Sequence, residues 1–400
     1  MSLNSEDPNL YAEIYNGSNN LNKSIRILDS TLREGEQHPG ISFTVKQRIQ
    51  IAWLVDSFGV DQIEISPVVS RDHAEATKII INQGLRADIL AHVRAIKSDI
   101  DLAIDCGATW VATYMGISDT HLSSKLKISR EEAKIRALDV AEYIKSHGLK
   151  ARFTMEDASR TDPKFLIDLC REINHIGIER ISIPDTVGIM RPRGMYNLVK
   201  RVSESIDMSK SSIDVHCHND IGLALANSLS GCDAGADQIH TTIDGLGERT
   251  GIPTLAETAV ALTLIYKTKK DLRLHMLKDL SRTISQYTGL EVPSSKPIIG
   301  DSAYKHKAGT HLAAILRNPA AYEILDPRLV GNRRKIVFGE LAGKNGAAYL
   351  LSILGLDTNA QDAKTLARGL KQLRMGDVLE LYLDENLEKK IISDAFPKVN

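Results

Sequence analysis

Short apolar runs alternate with longer amphipathic stretches from residue 25 to about residue 270. The runs are rich in β-branched residues and predict strands, whereas the stretches between them have the helical period. The predicted strands cover residues 25–29, 62–65, 86–91, 110–114, 150–154, 180–183, 213–217 and 238–241. Eight strand–helix units in about 240 residues predict an α/β fold, a (β/α)8 TIM barrel. An open doubly wound sheet is the alternative, although no Gly-x-Gly-x-x-Gly follows the first strand.

The chain changes character on both sides of this region. Residues 1–24 are polar and rich in Asn and Ser, and predict a flexible N-terminal arm. After the barrel domain, residues 25–270, the strand pattern stops and Pro293 and Pro297 indicate a linker. Helical patterns then cover 312–317, 346–354, 360–375 and 378–394. Residues 271–400 are therefore predicted to be a linker and a helical C-terminal appendage.

The composition of the chain indicates which partners and which compartment to expect. The chain has 50 Lys and Arg against 51 Asp and Glu, so its charge gives no reason to expect nucleic acid or an anionic membrane as a partner. The apolar runs are far shorter than the ~20 residues of a membrane span, and no secretory leader opens the sequence. Four cysteines without Cys-x-x-Cys spacing fit a reducing compartment. We therefore expect a cytoplasmic protein.

Polar residues collect where the predicted strands end, which is where barrels place their active sites. His216 and His218 are two apart on the seventh strand, so both imidazoles face the same side, and Glu34 follows the first strand. Two imidazoles and a carboxylate suit a divalent metal with open positions for a substrate. Cys217 faces the other way and is predicted to be a buried thiol.

Cationic residues at the same end of the barrel predict an anionic substrate. Arg33 is suited to a bidentate grip on a carboxylate, although an ordinary surface pair with Glu34 is the alternative. Arg152 and Thr154 share a strand face and form a second anion site, which His92 could join. A pair of Arg152 with Glu156 is the alternative there. Two separate cations at one mouth favour a substrate with two carboxylates.

Four segments resemble the barrel metalloenzymes that condense acetyl-CoA with a 2-oxo acid: residues 29–37, 216–220, 245–251 and 305–311. These enzymes include the 2-isopropylmalate, citramalate and homocitrate synthases, with hydroxymethylglutaryl-CoA lyase more distant. The resemblance covers about residues 25–325. It implies a divalent metal (zinc, manganese or magnesium) held by Glu34, His216 and His218 and chelated by the 2-oxo acid. It also implies that Arg33 polarises a substrate oxygen and that Thr186 holds the C1 carboxylate.

Within this group the sequence most resembles homocitrate synthase, an enzyme of lysine biosynthesis. Arg152-Phe153-Thr154 is similar to an Arg-x-Ser motif whose arginine holds the distal carboxylate of 2-oxoglutarate, and His92 and Gln37 match substrate-binding positions. Ala112 stands where these enzymes carry an aspartate, and Thr154 replaces the serine. A Re-type citrate synthase acting on oxaloacetate therefore stays open, as does a 2-isopropylmalate or citramalate synthase.

The resemblance extends to catalytic residues. Asp214 stands at a catalytic glutamate position, and His311 and Tyr322 match a catalytic histidine and tyrosine in the C-terminal region. In this group the histidine and the tyrosine reach the barrel of the partner subunit, so the resemblance implies a domain-swapped homodimer. A non-catalytic metal-binding barrel is the alternative from another class, and it requires the polar residues at the mouth to be coincidental.

Overall fold

A parallel β-barrel forms the larger part of the structure. The computed structural model describes residues 10–16, 24–268, 271–338, 343–353, 356, 360–372 and 379–382. The barrel strands close in chain order, with β1 paired to both β2 and β8. They are β1 Arg26–Asp29, β2 Gln62–Ile65, β3 Asp88–Arg94, β4 Trp110–Gly116, β5 Lys150–Glu156, β6 Arg180–Asp185, β7 Ser212–Cys217 and β8 Gln238–Thr241. The predicted TIM barrel is confirmed, and the open sheet is wrong.

Helices follow the strands in the order that the sequence pattern predicts. Helix α7 shows the local signals: the Asp162 carboxylate accepts from the Phe165 amide, Pro163 opens the helix, and Gly177 ends it at φ 88°. The helices up to the end of the barrel are α1 Leu10–Asn16, α2 Val45–Phe58, α3 Arg71–Ile81, α4 Lys97–Asp105, α5 Asp119–His121, α6 Arg130–Ser146, α7 Pro163–Ile176, α8 Pro192–Ser203, α9 Ala224–Asp233 and α10 Leu255–Val260.

The inside of the barrel contains both an apolar cluster and buried polar side chains. Leu28, Leu90, Trp110 and Ala112 form a buried apolar cluster. Other inward-facing side chains are charged or polar and are also buried, namely Gln62, Glu64, Arg152, Arg180, Asp214, Gln238 and His240. Buried charges are costly unless they are paired, so these polar side chains require a connected network.

The C-terminal region contains helices and a small sheet. Its helices are α11 Leu277–Thr288, α12 Gly309–Ile315, α13 Lys344–Ile353 and α14 Ala360–Leu370, which confirms the helical appendage. The expectation that strands stop after the barrel is wrong, because β9 Lys305–His306, β10 Lys335–Phe338 and β11 Leu379–Tyr382 form a sheet in the order β11-β10-β9.

The helix predicted over 378–394 is wrong at β11, and residues 383–394 lie outside the described residues. β11 pairs antiparallel with the fully buried β10, and this pairing overrides a weak local preference for helix.

The chain divides into two compact units. One contains the barrel, Asn20–Leu274 and Leu280–Glu291, and the other contains Met1–Asn19, His275–Asp279 and Val292–Asn400. Leu312, Ile336, Phe338 and Leu350 belong to the apolar core of the second unit. The predicted domain limits at residues 24 and 270 fall beside or within undescribed residues, so they stay predictions.

Candidate active site at the barrel mouth

A cavity of about 260 Å³ opens where the barrel strands end. Its wall contains nine of the residues that the sequence singles out: Arg33, Glu34, Gln37, His92, Arg152, Thr154, Thr186, His216 and His218. They come from five different strands or the turns that follow them. The closed barrel brings them together because every parallel strand ends at the same mouth.

Three of these side chains form a metal-ligand cluster. One ligand atom each from Glu34, His216 and His218 lies within 4.8 Å of the others, and all three residues are buried. His216 Nε2 is 3.8 Å from Glu34 Oε2. Burial, followed by the charge of His218, holds the pKa of His216 well below its usual range. Burial also lowers the pKa of His218. Neutral imidazoles are the form that binds metal, so this donor set fits a divalent cation.

The Glu34 carboxylate is fixed from both sides. Its Oε1 accepts the Glu248 amide at 2.9 Å, and its Oε2 accepts from Arg33 Nη1. Gly247 lies so close that a Cβ there would be 2.8 Å from Oε1. This contact explains one glycine of the 245–251 segment, because a larger residue would displace the carboxylate.

A buried carboxylate joins the two predicted anion-binding arginines. Glu64 is fully buried and accepts from Arg33 Nε at 2.7 Å and from Arg152 Nη2. Burial alone would raise the pKa of Glu64, but Arg152 and Arg33 hold it well below its usual range. The alternative that Arg152 pairs with Glu156 is wrong, because both oxygens of Glu156 accept from Lys125 at 2.8 Å.

Several polar atoms on the cavity wall have no hydrogen-bond partner among the described residues: Arg152 Nε, Thr154 Oγ1, Ser182 Oγ and His218 Nδ1. Thr154 and Ser182 face each other across the β5–β6 pairing. Buried polar groups are normally satisfied, so this set points to a ligand that supplies the missing acceptors. The Thr186 hydroxyl accepts the Asp157 amide at 3.0 Å.

His92 does not add a positive charge to the cavity. Its ring stacks on Tyr114 at 5.0 Å, and burial together with the charge of Arg33 lowers its pKa to about 3. Arg33 and Arg152 are thus the two predicted cations, and His92 can contribute a neutral hydrogen bond.

Asp214 lies below the cavity and, among the described residues, is not part of its wall. The carboxylate is fully buried: its Oδ1 accepts from Arg180 Nε at 2.5 Å, and its Oδ2 accepts from Gln238 Nε2 at 3.2 Å. His240 Nε2 is 3.1 Å from the same Oδ2, and its ring also reaches His216, with 3.1 Å between the two Nδ1 atoms. Asp214 therefore connects to the metal-ligand cluster through His240.

Comparison with known proteins identifies the barrel. Residues 24–284 match the HMGL-like family model, and residues 298–377 match the model described as homocitrate synthase post-HMGL domain-like.

The chain belongs to the HMGL-like family.

Curated relatives in this family carry two different names. The chain is 41% identical to the homocitrate synthase AksA of Methanopyrus kandleri, over 91% of this chain and 90% of the relative. It is 40% identical to the 2-isopropylmalate synthase of Methanocaldococcus jannaschii, over 95% of this chain and 73% of the relative. This chain is an enzyme of the HMGL-like family, and the names of its relatives leave the substrate open between these two.

Solved structures of HMGL-like proteins share the fold. The hydroxymethylglutaryl-CoA lyase of Pseudomonas aeruginosa superposes with a TM-score of 0.61 over 67% of this chain and 94% of that chain. Its sequence identity is 20%, so the likeness concerns the fold.

His311 and Tyr322 lie in the second compact unit, where their rings stack at 3.9 Å with an angle of 21° between them. His311 is on α12, and Tyr322 follows the turn Pro319–Ala321 and is about half exposed. The next residue, Glu323, is fixed by Arg334 at 2.8 and 2.7 Å and by His306 at 3.0 Å. The histidine and tyrosine that the sequence pairs by resemblance are thus in contact with each other.

Sequence reasoning assigned no role to several residues of this HMGL-like site. The most informative is His240, which is two residues after the buried Gln238 on β8. This spacing puts both on one strand face, the signal that identified His216 and His218 on β7. The other unassigned wall residues are Tyr114, Lys125, Glu156, Ser182, Pro184, Glu248 and Arg249.

Two further expectations concern membrane-spanning helices and the cysteines. In the part of the chain that the structure describes, every helix is too short or too polar to cross a bilayer. All four cysteines are buried free thiols, as predicted for Cys217, and burial raises the pKa of Cys217 to about 12.

Proposed function

We propose that this enzyme condenses acetyl-CoA with a 2-oxo dicarboxylate, 2-oxoglutarate, to give homocitrate. The observation that carries the proposal is one cavity that combines a metal-ligand cluster with a second group of unsatisfied donors, those of Arg152, Thr154 and Ser182. A 2-oxo dicarboxylate has a chelating end and a distal carboxylate, and it therefore matches both groups.

The reaction requires a carbon–carbon bond and a hydrolysis. The methyl group of acetyl-CoA loses a proton, its carbon bonds to the keto carbon, and the keto oxygen takes up a proton. Water then cleaves the thioester and releases the thiol of CoA, which makes the condensation irreversible. A divalent cation held by Glu34, His216 and His218 would polarise the keto group.

The protein's own groups would bind the ends of the substrate. The Arg33 guanidinium, held by Glu64 and Glu34, can donate to the substrate oxygen on which charge develops. Thr186 would hold the C1 carboxylate, while Arg152 Nε and Thr154 Oγ1 would donate to the distal carboxylate. Gln37 and His92 would complete the pocket with neutral hydrogen bonds.

His311 and Tyr322 would complete the catalytic set from a partner subunit, and Asp214 would contribute from beneath the cavity. This part of the proposal rests on the resemblance and implies a homodimer in which the C-terminal unit of one subunit serves the barrel of the other. We place the activity in the cytoplasm, where the four buried thiols stay reduced.

2-Isopropylmalate synthesis is the second candidate. Relatives that are about 40% identical bear that name, and Glu64 already takes up part of the charge of Arg152. An arginine neutralised in this way attracts a second carboxylate less strongly than an unpaired one.

A thiol-release assay separates the candidates. Purified protein with Zn²⁺, Mn²⁺ or Mg²⁺ receives acetyl-CoA and one oxo acid from a panel of 2-oxoglutarate, oxaloacetate, pyruvate and 2-oxoisovalerate. We expect the largest kcat/KM with 2-oxoglutarate. A preference for 2-oxoisovalerate would establish the second candidate, and thiol release with none of them despite bound metal would favour a non-catalytic barrel.

A further inference from the structure

Three buried side chains form a continuous hydrogen-bonded chain below the metal-ligand cluster. Asp214 Oδ2 is 3.1 Å from His240 Nε2, and His240 Nδ1 is 3.1 Å from His216 Nδ1. The His216 ring presents its remaining nitrogen, Nε2, toward Glu34 Oε2 at 3.8 Å. The middle residue, His240, is 1% exposed.

These contacts determine which ring nitrogens carry protons. Asp214 is an acceptor, because Arg180 Nε donates to its Oδ1 at 2.5 Å and Gln238 Nε2 donates to its Oδ2 at 3.2 Å. His240 must therefore donate from Nε2, and a neutral His240 then offers a bare Nδ1. Two facing Nδ1 atoms need one donor and one acceptor, so His216 donates from Nδ1. Its Nε2 is left with a free lone pair on the side of Glu34.

A competing contact is weaker. Arg152 Nη1 also approaches His240 Nε2, at 3.4 Å, and would favour the opposite tautomer. Both contacts involve a charged group, but the Asp214 carboxylate is the closer one, at 3.1 Å, and Arg152 already donates to Glu64. The Arg152 guanidinium, whose Nη1 is 3.4 Å from the ring, also disfavours a second positive charge on His240.

We propose that Asp214 and His240 are positioning residues that fix His216 in the tautomer whose Nε2 binds the metal. The proposal rests on the metal site of the proposed function. It gives Asp214 a role that fits its place below the cavity, where it contacts His240. Groups behind a metal ligand typically change metal affinity by about 10- to 100-fold when they are removed.

Asp214→Asn tests the tautomer directly. Arg180 Nε donates to Asp214 Oδ1 at 2.5 Å, and it is charged and closer than Gln238 Nε2 at Oδ2, 3.2 Å away. Arg180 should therefore keep the amide oxygen of the new asparagine on its own side. The amide nitrogen then faces His240 Nε2 and donates to it, which forces His240 to donate from Nδ1 and His216 to carry its proton on Nε2. We expect about 10- to 100-fold weaker Zn²⁺ binding, measured on metal-stripped protein by competition with a chromophoric chelator.

Two variants of His240 test whether it acts as the hydrogen-bond acceptor for His216 Nδ1. His240→Leu removes the acceptor for His216 Nδ1 and should weaken Zn²⁺ binding over the same range. His240→Asn places an amide oxygen near the position of Nδ1 and should retain affinity within about threefold of the parent. In this second background, adding Asp214→Asn should change affinity by less than about twofold, because no imidazole is left to transmit the change.

His92→Leu is the matched control, since it removes another buried histidine of the same cavity wall. No hydrogen bond between His92 and His216 or His240 is present among the described residues, so Zn²⁺ affinity should stay within about threefold of the parent. Circular dichroism and tryptophan fluorescence of each metal-free variant establish that it is folded.

The tautomer of His216 can also be measured in the unmodified protein, so the test does not depend on the variants being folded. With ¹⁵N-labelled histidine, the metal-free protein should show His216 protonated at Nδ1 and bare at Nε2. A proton on Nε2 of His216, or unchanged Zn²⁺ affinity in folded Asp214→Asn and His240→Leu, would overturn the proposal. These readouts involve no oxo acid, so absence of thiol release would contradict only the proposed function.

Discussion

The buried ion-pair network around Glu64 predicts two separable consequences of replacing Arg152. Arg152 is 1% exposed and Glu64 is fully buried, so Arg152→Ala removes one of the two cations that compensate a buried carboxylate. Removing one partner of a buried pair costs about 3–5 kcal/mol. Because Arg33 still donates to Glu64 at 2.7 Å, we expect a loss near the lower limit, about 3 kcal/mol.

The same substitution should change substrate selectivity. A charge-assisted hydrogen bond contributes about 1.5–3 kcal/mol, which is about ten- to a hundredfold in apparent affinity. Arg152→Ala should therefore lower kcat/KM for 2-oxoglutarate or oxaloacetate by about that factor and lower it much less for pyruvate or 2-oxobutyrate. Equal losses with all four oxo acids would mean that Arg152 is structural.

A double variant separates the two effects. Adding Glu64→Gln to Arg152→Ala removes the uncompensated charge, so part of the lost stability should return while the selectivity for dicarboxylates stays lost. Urea unfolding followed by tryptophan fluorescence reports on the barrel, since both tryptophans, Trp53 and Trp110, lie in it. If the double variant is no more stable than Arg152→Ala, the cost does not come from the Glu64 charge.

The pH dependence of stability gives a further check on this network. The pKa of Glu64 is well below its ordinary value of 4.5 in the folded protein. A depressed pKa contributes stability above the unfolded-state value, and this contribution is lost as the pH falls through the folded-state pKa. The difference in unfolding free energy between the parent and Arg152→Ala should thus be largest near neutral pH and shrink below about pH 4.5. A difference that stays constant as the pH is lowered from 7 to well below 4.5 would contradict this.

Three further predictions concern metal, subunits and inhibition. His216→Ala should lose bound metal and nearly all activity, whereas Cys217→Ser should keep both, as measured by metal analysis and thiol release. Full metal content in His216→Ala would refute the ligand assignment. Inactive His311→Ala and His216→Ala proteins should regain activity when they are mixed and exchange subunits, because one of the two active sites in the heterodimer then has both residues intact. No recovery in confirmed heterodimers would place His311 in its own subunit's site. Lysine should inhibit weakly, and Ala112→Asp should strengthen inhibition, since this position lies between His92 and Arg152 in the strand register. Strong inhibition of the parent at low lysine would refute this last expectation.

The local sequence pattern was sufficient to predict the barrel and most of the residues that line its cavity. Each barrel strand is a short apolar run with strand-forming residues, and each is followed by a polar turn, so the order of elements could be predicted. The two-residue spacing of His216 and His218 determined that they face the same side, and the common orientation of parallel strands determined that Glu34 lies near them. These relations depend on periodicity, which a sequence carries within a few residues.

Which side chains pair across the barrel was decided only by the tertiary structure. Arg152 pairs with Glu64, 88 positions away, rather than with the nearby Glu156, because both side chains point into the closed barrel. His240 joins Asp214 to His216 for the same reason, and β11 forms as a strand because β10 offers it a buried edge. Which inward-facing charges meet depends on barrel closure and strand register, and these long-range relations leave no local signal in the sequence.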